Sequence, residues 1–308
     1  GPGYRGHRLM VPEPGDYRTL VAEQEGRVLV NQRPDAQNPQ GRIELLSNVC
    51  RHRQAIMLNG SGNADSIVCP LHRWTYDLDG SLKGAPHFDQ QPCLELPRYP
   101  LQEWQGLLFE SPRDIAADLR GMSVAADLDF SGYRLDHVEV HECNYNWKTF
   151  IEVYLEDYVV PFHPGLGHFV DCNDLKWEFG DWYSVQTVGL HRDLQKPGSP
   201  VYRKWHDEVL RFNGGKLPKY GAIWLTYYPN LMVEWYPNSL IISSLIPRGP
   251  GKTTNIVEFY YPEEIVWFER EFIEAERAAY METAIEDDEI GERMDAGRRA
   301  LLERGENQ

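Results

Sequence analysis

Two short pairs of metal-ligand side chains constrain this chain more than anything else in it. Cys50-Arg-His52 is a Cys-x-His pair and Cys69-Pro-Leu-His72 a Cys-x-x-His pair, with 16 residues between His52 and Cys69. Thiolates bind iron and zinc tightly. Two thiolates with two imidazoles suit a [2Fe–2S] centre that carries both cysteines on one iron and both histidines on the other. Imidazole is neutral where thiolate is anionic, so such a cluster takes up an electron more readily than an all-cysteine one. A tetrahedral zinc site is the competing reading, but its common spacing keeps the cysteines together and the histidines together, whereas here each pair mixes the two. Two buried cysteines and two incidental histidines are the bland alternative. It requires four ligand types to fall at four set positions by chance.

Strand-like runs frame these ligands. Residues 27–31 and 42–47 precede the first pair, 67–68 precede the second, and 74–78, 94–97 and 106–109 follow, broken by Gly and Pro. Ligand loops at the tips of two hairpins would bring four ligands together, so a small all-β domain is expected over residues 1–112. Residues 113–135 read as a polar connector with a helical stretch, and 137–141 alternate like a strand. In 146–158, Trp147, Phe150, Ile151, Tyr154 and Leu155 recur at helical spacing. This is an amphipathic helix with its aromatic face inward, capped by Asn144 or Asn146. Residues 176–190, 222–236 and 239–247 read as antiparallel strands. The stretch 191–220 reads as a long excursion of the kind that lines pockets. Residues 262–304 are helical, with Ile265, Phe268, Phe272, Ala275, Ala279 and Tyr280 as the apolar stripe, interrupted by the acids 286–289. The expected class is α+β: the small all-β domain, then at 113–308 an antiparallel sheet flanked by helices.

Composition narrows the function. A chain of 308 residues, 42% hydrophobic and 25% charged, can bury the core of one large or two modest domains. A formal net charge of −16 argues against nucleic acid or an anionic membrane as a main partner. An acidic surface can still steer a basic redox partner. Beyond the two ligand cysteines, Cys93, Cys143 and Cys172 are far apart, so no disulfide framework is evident and a reducing, cytoplasmic setting is expected. The first residues lack the apolar segment of a signal peptide, and no run of 18 apolar residues is long enough to span a membrane.

Cys50-Arg-His52 and Cys69-Pro-Leu-His72, followed by Trp74-x-Tyr76 and Asp79-Gly80, resemble the Rieske domain of the ring-hydroxylating non-haem iron oxygenases. Arg73 stands where that family usually has Gly. The resemblance continues in NWKTFIEVYLEDY and PFHPGLGHF, similar to the family's iron-binding helix and turn, and in EDDEIGE, similar to the segment that brings a carboxylate ligand. It therefore touches both halves of the chain. It implies a terminal oxygenase with a [2Fe–2S] cluster on Cys50, His52, Cys69 and His72, and a mononuclear Fe(II) on His163 and Asp287. Asp288 and Glu286 are the alternatives to Asp287. Two His and one carboxylate on one face of Fe(II) leave positions open for O2 and substrate. Electrons would come from NAD(P)H through a reductase or ferredoxin. Glu156, or its neighbour Asp157, would hydrogen-bond across a subunit boundary between an iron-bound and a cluster-bound His. That arrangement implies a head-to-tail ring of three chains.

Each assignment has a plainer alternative. His163 is also a loop His beside Pro164, Asp287 lies in an acidic run that is usually a solvated face, and a helix-end carboxylate is mostly exposed. His7, His87, His137, His141, His191 and His206 lack ligand spacing to one another and read as surface or pocket-lining, with His191 and His206 candidates to face substrate. Trp147, Trp177, Trp182, Trp224 and Trp235 read as core. The aromatic-rich second half favours a planar aromatic guest and a place in aromatic hydrocarbon catabolism. The motifs do not choose between monooxygenation, dioxygenation and oxidative demethylation. The alternative function is an electron carrier without oxygenase activity. A carrier needs only ~110 residues, which leaves too large a remainder for decoration. It would also hold two irons per chain instead of three.

One ligand of the family pattern is missing. The family reads Tyr-His, four residues, then a second His, whereas this chain reads Tyr158-Val-Val-Pro-Phe-His163. The first His is deleted, or His168 substitutes four residues beyond His163, or a chemically altered His stands between Tyr158 and Val159 and is not written among the standard residues. The last is favoured here, because a bare deletion would rotate the downstream helix face by about 100°. A Tyr158–Val159 Cα separation of roughly 5–7 Å, instead of the ~3.8 Å of a trans peptide, would mark it. For the bridging acid, Glu156→Ala, or failing that Asp157→Ala, is expected to keep both metal sites and lose coupled turnover. Normal turnover in both variants would remove that role.

Overall fold

The computed structural model describes residues 3–34, 36, 41–155, 163, 165, 170–190 and 198–306. The calls on Glu156, Asp157, His168, His191 and the Tyr158–Val159 junction lie outside the described residues. The chain divides into two compact units, Pro2–Ala117 and Asp118–Gln308.

The first unit is built from three antiparallel sheets. One runs Ser61–Asn63, Asp16–Thr19, Arg27–Asn31, Ile43–Ser47 and Arg98–Tyr99; a second pairs Tyr4–His7, Leu107–Phe109 and Gln102–Trp104; a third pairs Ile67–Val68, Thr75–Tyr76 and Leu82–Gly84. The central strands carry apolar runs, Val28–Val30 and Leu45–Leu46, because both of their faces are covered there. Val28, Val30 and Leu46 pack with Trp74, Tyr76 and the two ligand cysteines, while Leu29 and Leu45 pack with Val11 and Leu108 on the other side. Residues 94–97 are not a strand, contrary to expectation. Leu96 N–H bonds Gly80 C=O, and pairing resumes at Arg98.

The second unit is a seven-stranded antiparallel sheet: β1 Tyr133–Cys143, β2 Val170–Phe179, β3 Tyr183–Leu190, β4 Ala222–Tyr227, β5 Leu231–Tyr236, β6 Ser239–Gly249 and β7 Lys252–Pro262, in spatial order β1-β7-β6-β5-β4-β3-β2. Residues 176–190 and 222–236 each resolve into a hairpin, and β7 is a strand the sequence pattern did not single out. Among the described residues, these helices accompany the sheet: α1 Trp147–Tyr154, α2 Pro200–Phe212, α3 Glu263–Phe268 and α4 Arg270–Glu303. Helix α2 lies inside the expected excursion. The Ser199 side chain accepts from Tyr202 N–H and Pro200 opens the first turn, a start signal present in the sequence.

The acids at 286–289 do not interrupt α4, which runs 34 residues, about 50 Å, without a break. Phe272, Ile273, Ala275 and Ala279 of α4 and Tyr202, Trp205 and Val209 of α2 bury against Ile241, Val257, Phe259 and Tyr261 of the sheet. Full burial of a side chain such as Phe272 contributes about 1.5–3 kcal/mol. Helix α1 is capped by Asn146, whose side chain accepts from Lys148 N–H at 2.9 Å. Asp295 of α4 then fastens α1, accepting from Asn146 N–H at 2.8 Å and from the Thr149 hydroxyl at 2.5 Å. The aromatic face of α1 is only half-buried: Phe150 and Tyr154 line a cavity instead of filling core. The five tryptophans read as core are likewise partly exposed, whereas Trp74 and Trp205 are buried.

Gly291 of α4 lies against the buried Tyr145, whose ring would stand 2.9 Å from a Cβ at that position. Gly297, two turns on, meets nothing within 4 Å. In a helix, Gly→Ala ordinarily stabilises by roughly 0.5–1 kcal/mol. Gly297→Ala is expected to raise the thermal midpoint, and Gly291→Ala to lower it because the ring is pinned. Equal shifts in the two variants would show that Tyr145 yields.

Candidate metal centres and the substrate cavity

The two ligand loops close in the same way. Gln54 N–H returns to Cys50 C=O at 3.0 Å and Arg73 N–H to Cys69 C=O at 3.1 Å, and Gln54 and Arg73 both adopt left-handed backbone, φ 61° and 63°. That conformation is the physical reason a glycine is usual at the position of Arg73; a side-chain-bearing residue accepts it at about 1–2 kcal/mol. The loops bring the four candidate ligands together. Cys50 and Cys69 are buried and form no disulfide, and the His52 and His72 rings lie 4.7 Å apart on the more exposed side. Trp74 stacks on His52 at 5.0 Å. The Tyr76 hydroxyl stands 3.8 Å from Cys50 Sγ and accepts from Arg51 N–H at 3.1 Å.

His52 Nδ1 is buried without a hydrogen-bond partner among the described residues. An orphaned ring nitrogen beside two buried thiols fits a metal ligand set, and the mixed donors fit a [2Fe–2S] cluster better than zinc. Such a cluster supplies one-electron transfer. These residues set its conditions: the buried thiols exclude water, the exposed imidazoles keep an electron path to the surface short, and the Tyr76 phenol faces a sulfur.

The second centre forms where His163 meets α4. His163 is 6% exposed. Its Nε2 lies 3.2 Å from Asp287 Oδ1 and its Nδ1 2.6 Å from Glu286 Oε2. At metal–ligand lengths of about 2.1 Å, two donors at right angles sit about 3 Å apart, so the Nε2–Asp287 pair suits a shared ion. Glu286 on the other nitrogen suits the orienting partner that ligating histidines usually have. Asp288 is engaged elsewhere: it accepts from Tyr145 at 2.7 Å and pairs with His141 Nε2 at 2.6 Å. This hydrogen bond is the main reason His141 is pushed up to about 10. Three consecutive acids are thus engaged, Glu286 and Asp287 at the two ring nitrogens of His163 and Asp288 at His141 and Tyr145, instead of forming one solvated face. An iron held by His163 and Asp287 would supply O2 chemistry.

Beside this pair lies a cavity of about 150 Å³. Its wall mixes aromatic faces, among them Tyr154, Trp224 and Tyr236, with the carboxyls of Glu139, Glu234, Glu276, Asp287 and Asp288. Burial pushes Glu234 up to about 7 and Glu276 to about 8, and raises Asp287 as well. These glutamates were not singled out from the sequence. The available signal was a lone acid inside an apolar strand, LMVEWY, since a carboxylate is rarely buried without a task. His7 and His206 are buried, not at the surface, and His206 is not among the residues lining the cavity.

Cys50→Ser and His72→Ala are each expected to abolish the visible absorption of the cluster and to destabilise the first unit, because metal binding there is folding free energy. Full absorption in either variant would remove that residue from the ligand set.

The family described as ring hydroxylating alpha subunit (catalytic domain) matches residues 130–306, and the Rieske [2Fe-2S] domain matches residues 6–100. The chain is 74% identical over 306 residues to a putrescine 2-hydroxylase of Ralstonia nicotianae, covering 99% of this chain and 82% of that one. It is 60% identical to a putrescine 2-hydroxylase of Bordetella bronchiseptica, covering 99% and 73%. A solved quaternary ammonium Rieske monooxygenase shares the fold, with a TM-score of 0.73, 22% identity and coverage of 96% and 78%. Neither close relative is named for an aromatic substrate or for dioxygenation, so the aromatic guest, the aromatic catabolic role and the dioxygenase reading are not supported. The chain belongs to the ring-hydroxylating alpha subunit family and is a Rieske-type oxygenase, an oxidoreductase with a [2Fe–2S] cluster, a mononuclear iron and an external source of electrons.

Proposed function

We propose that this protein is a terminal monooxygenase that hydroxylates a short aliphatic diamine of the putrescine class. Two observations support the substrate class. One is the likeness, over nearly the whole chain, to proteins named for putrescine. The other is a cavity wall that pairs buried carboxyls with aromatic faces, which suits an alkylammonium better than an uncharged ring. A C–H bond of the diamine is replaced by C–OH, the second oxygen of O2 leaves as water, and NAD(P)H supplies the two electrons through a reductase or ferredoxin.

In this reading residues 1–112 receive electrons on Cys50, His52, Cys69 and His72, and residues 113–308 hold iron on His163 and Asp287. Glu156 or Asp157 bridges neighbouring subunits in a cytoplasmic head-to-tail trimer. The aromatic residues keep water from the reacting methylene and orient the chain of the diamine. Among the described residues no helix is long and apolar enough to cross a membrane.

Purified enzyme with its electron donor is expected to consume O2 on addition of putrescine, to form a hydroxylated diamine, and to contain three irons per chain. Oxygen uptake with aromatic acids or methyl ethers but not with putrescine would overturn the substrate class.

A further inference from the structure

The acids of the cavity are not equivalent. Glu139 is paired with Arg277, Asp288 with His141, and Glu286 and Asp287 with His163. Glu276 accepts from Tyr261 at 2.5 Å and feels the neighbouring Arg277. Glu234 has no cation or imidazole bonded to it among the described residues, although it is only 3% exposed. It is held nonetheless. Trp224 Nε1–H donates to the Tyr236 oxygen at 3.0 Å, and the Tyr236 hydroxyl donates to Glu234 Oε2 at 2.6 Å. Trp224 and Glu234 are register partners on β4 and β5, so the relay is fixed by the sheet itself.

A second observation points into the same space. The Tyr154 hydroxyl, from α1, is buried and lacks a hydrogen-bond partner among the described residues, and it lies close enough to Glu234 to interact electrostatically. A braced carboxylate and an unpartnered phenol on one cavity wall ask for a cationic donor. An alkylammonium has three N–H donors and no acceptor, and the surrounding rings offer it π faces. The cavity is in the size class that accepts benzene, and 1,4-diaminobutane has the same number of heavy atoms.

We propose that Glu234 is the ammonium receptor of this cavity, binding one end of the diamine together with the Tyr154 hydroxyl and so setting the position of the chain relative to His163 and Asp287. The assignment rests on the diamine reading above.

The test is calorimetric binding of putrescine, with KM and kcat from putrescine-dependent O2 uptake. Glu234→Gln keeps the volume and is expected to raise Kd and KM for putrescine about 10- to 100-fold, with cluster absorption and iron content as in the wild type. Tyr154→Phe, which deletes only an oxygen, is expected to raise both about 3- to 10-fold. Wild-type affinity in both variants, or a loss in Glu276→Gln with none in Glu234→Gln, would overturn the receptor assignment while leaving the diamine reading intact. A wild-type enzyme that neither binds nor oxidises putrescine would remove the diamine reading, and this assignment with it.

Discussion

The second unit depends on how α4 lies on its sheet. Phe272, Ile273, Ala275 and Ala279 anchor the first half of the helix against Ile241, Val257, Phe259 and Tyr261. An α-helix is a hydrogen-bonded rod with a fixed rise per residue. Once its first turns are anchored, everything further along the same stripe is placed. That stripe changes character as it advances, from large apolar residues to the acids at 286–288, then to Gly291 under Tyr145, and finally to Asp295, which ties down α1. Hydrophobic burial at one end of a single helix thus positions carboxylates at the middle and a helix cap at the other end.

Placing acids in an apolar interior costs free energy, and the structure shows how the cost is offset. Glu286 and Asp287 share His163, Asp288 holds His141 and Tyr145, and Glu139 meets Arg277. Each pairing replaces water with a charged or hydrogen-bonding partner. Glu234 and Glu276 are instead pushed toward the protonated form by burial. A cation entering beside these groups would favour their ionised form and so be bound in turn. The first unit handles charge differently: its thiols are inside and its imidazoles face out, as suits an electron acceptor.

What the sequence by itself determined was set by local spacing. The candidate ligands Cys50, His52, Cys69 and His72 lie in two loops that each close on themselves through two backbone bonds, between Cys50 and both Ala55 and Gln54 in one and between Cys69 and both Trp74 and Arg73 in the other, so the shape of each pair is set locally. The apolar, β-branched run in 239–247 and the stripe Phe272, Ala275 and Ala279 of α4 were readable for the same reason, since both are local patterns of a few residues, whereas Phe268 of the expected stripe ends α3 and is 80% exposed. The α+β class followed from them.

Other features were decided only in three dimensions. Local pattern made 286–289 a solvated interruption, and the fold turned three of those acids inward because α4 was already held by its apolar half. The same pattern made the aromatic residues a core or a seat for a planar guest. Tyr154, Trp224 and Tyr236 instead line a cavity together with Glu234, an acid that looks incidental within LMVEWY. Its surroundings come from Trp224 on the neighbouring strand and Tyr154 on a distant helix. A pattern of a few residues cannot encode which side chains from separate elements will share one low-dielectric space, and that sharing is what fixes the charge, hydration and partners of each buried group.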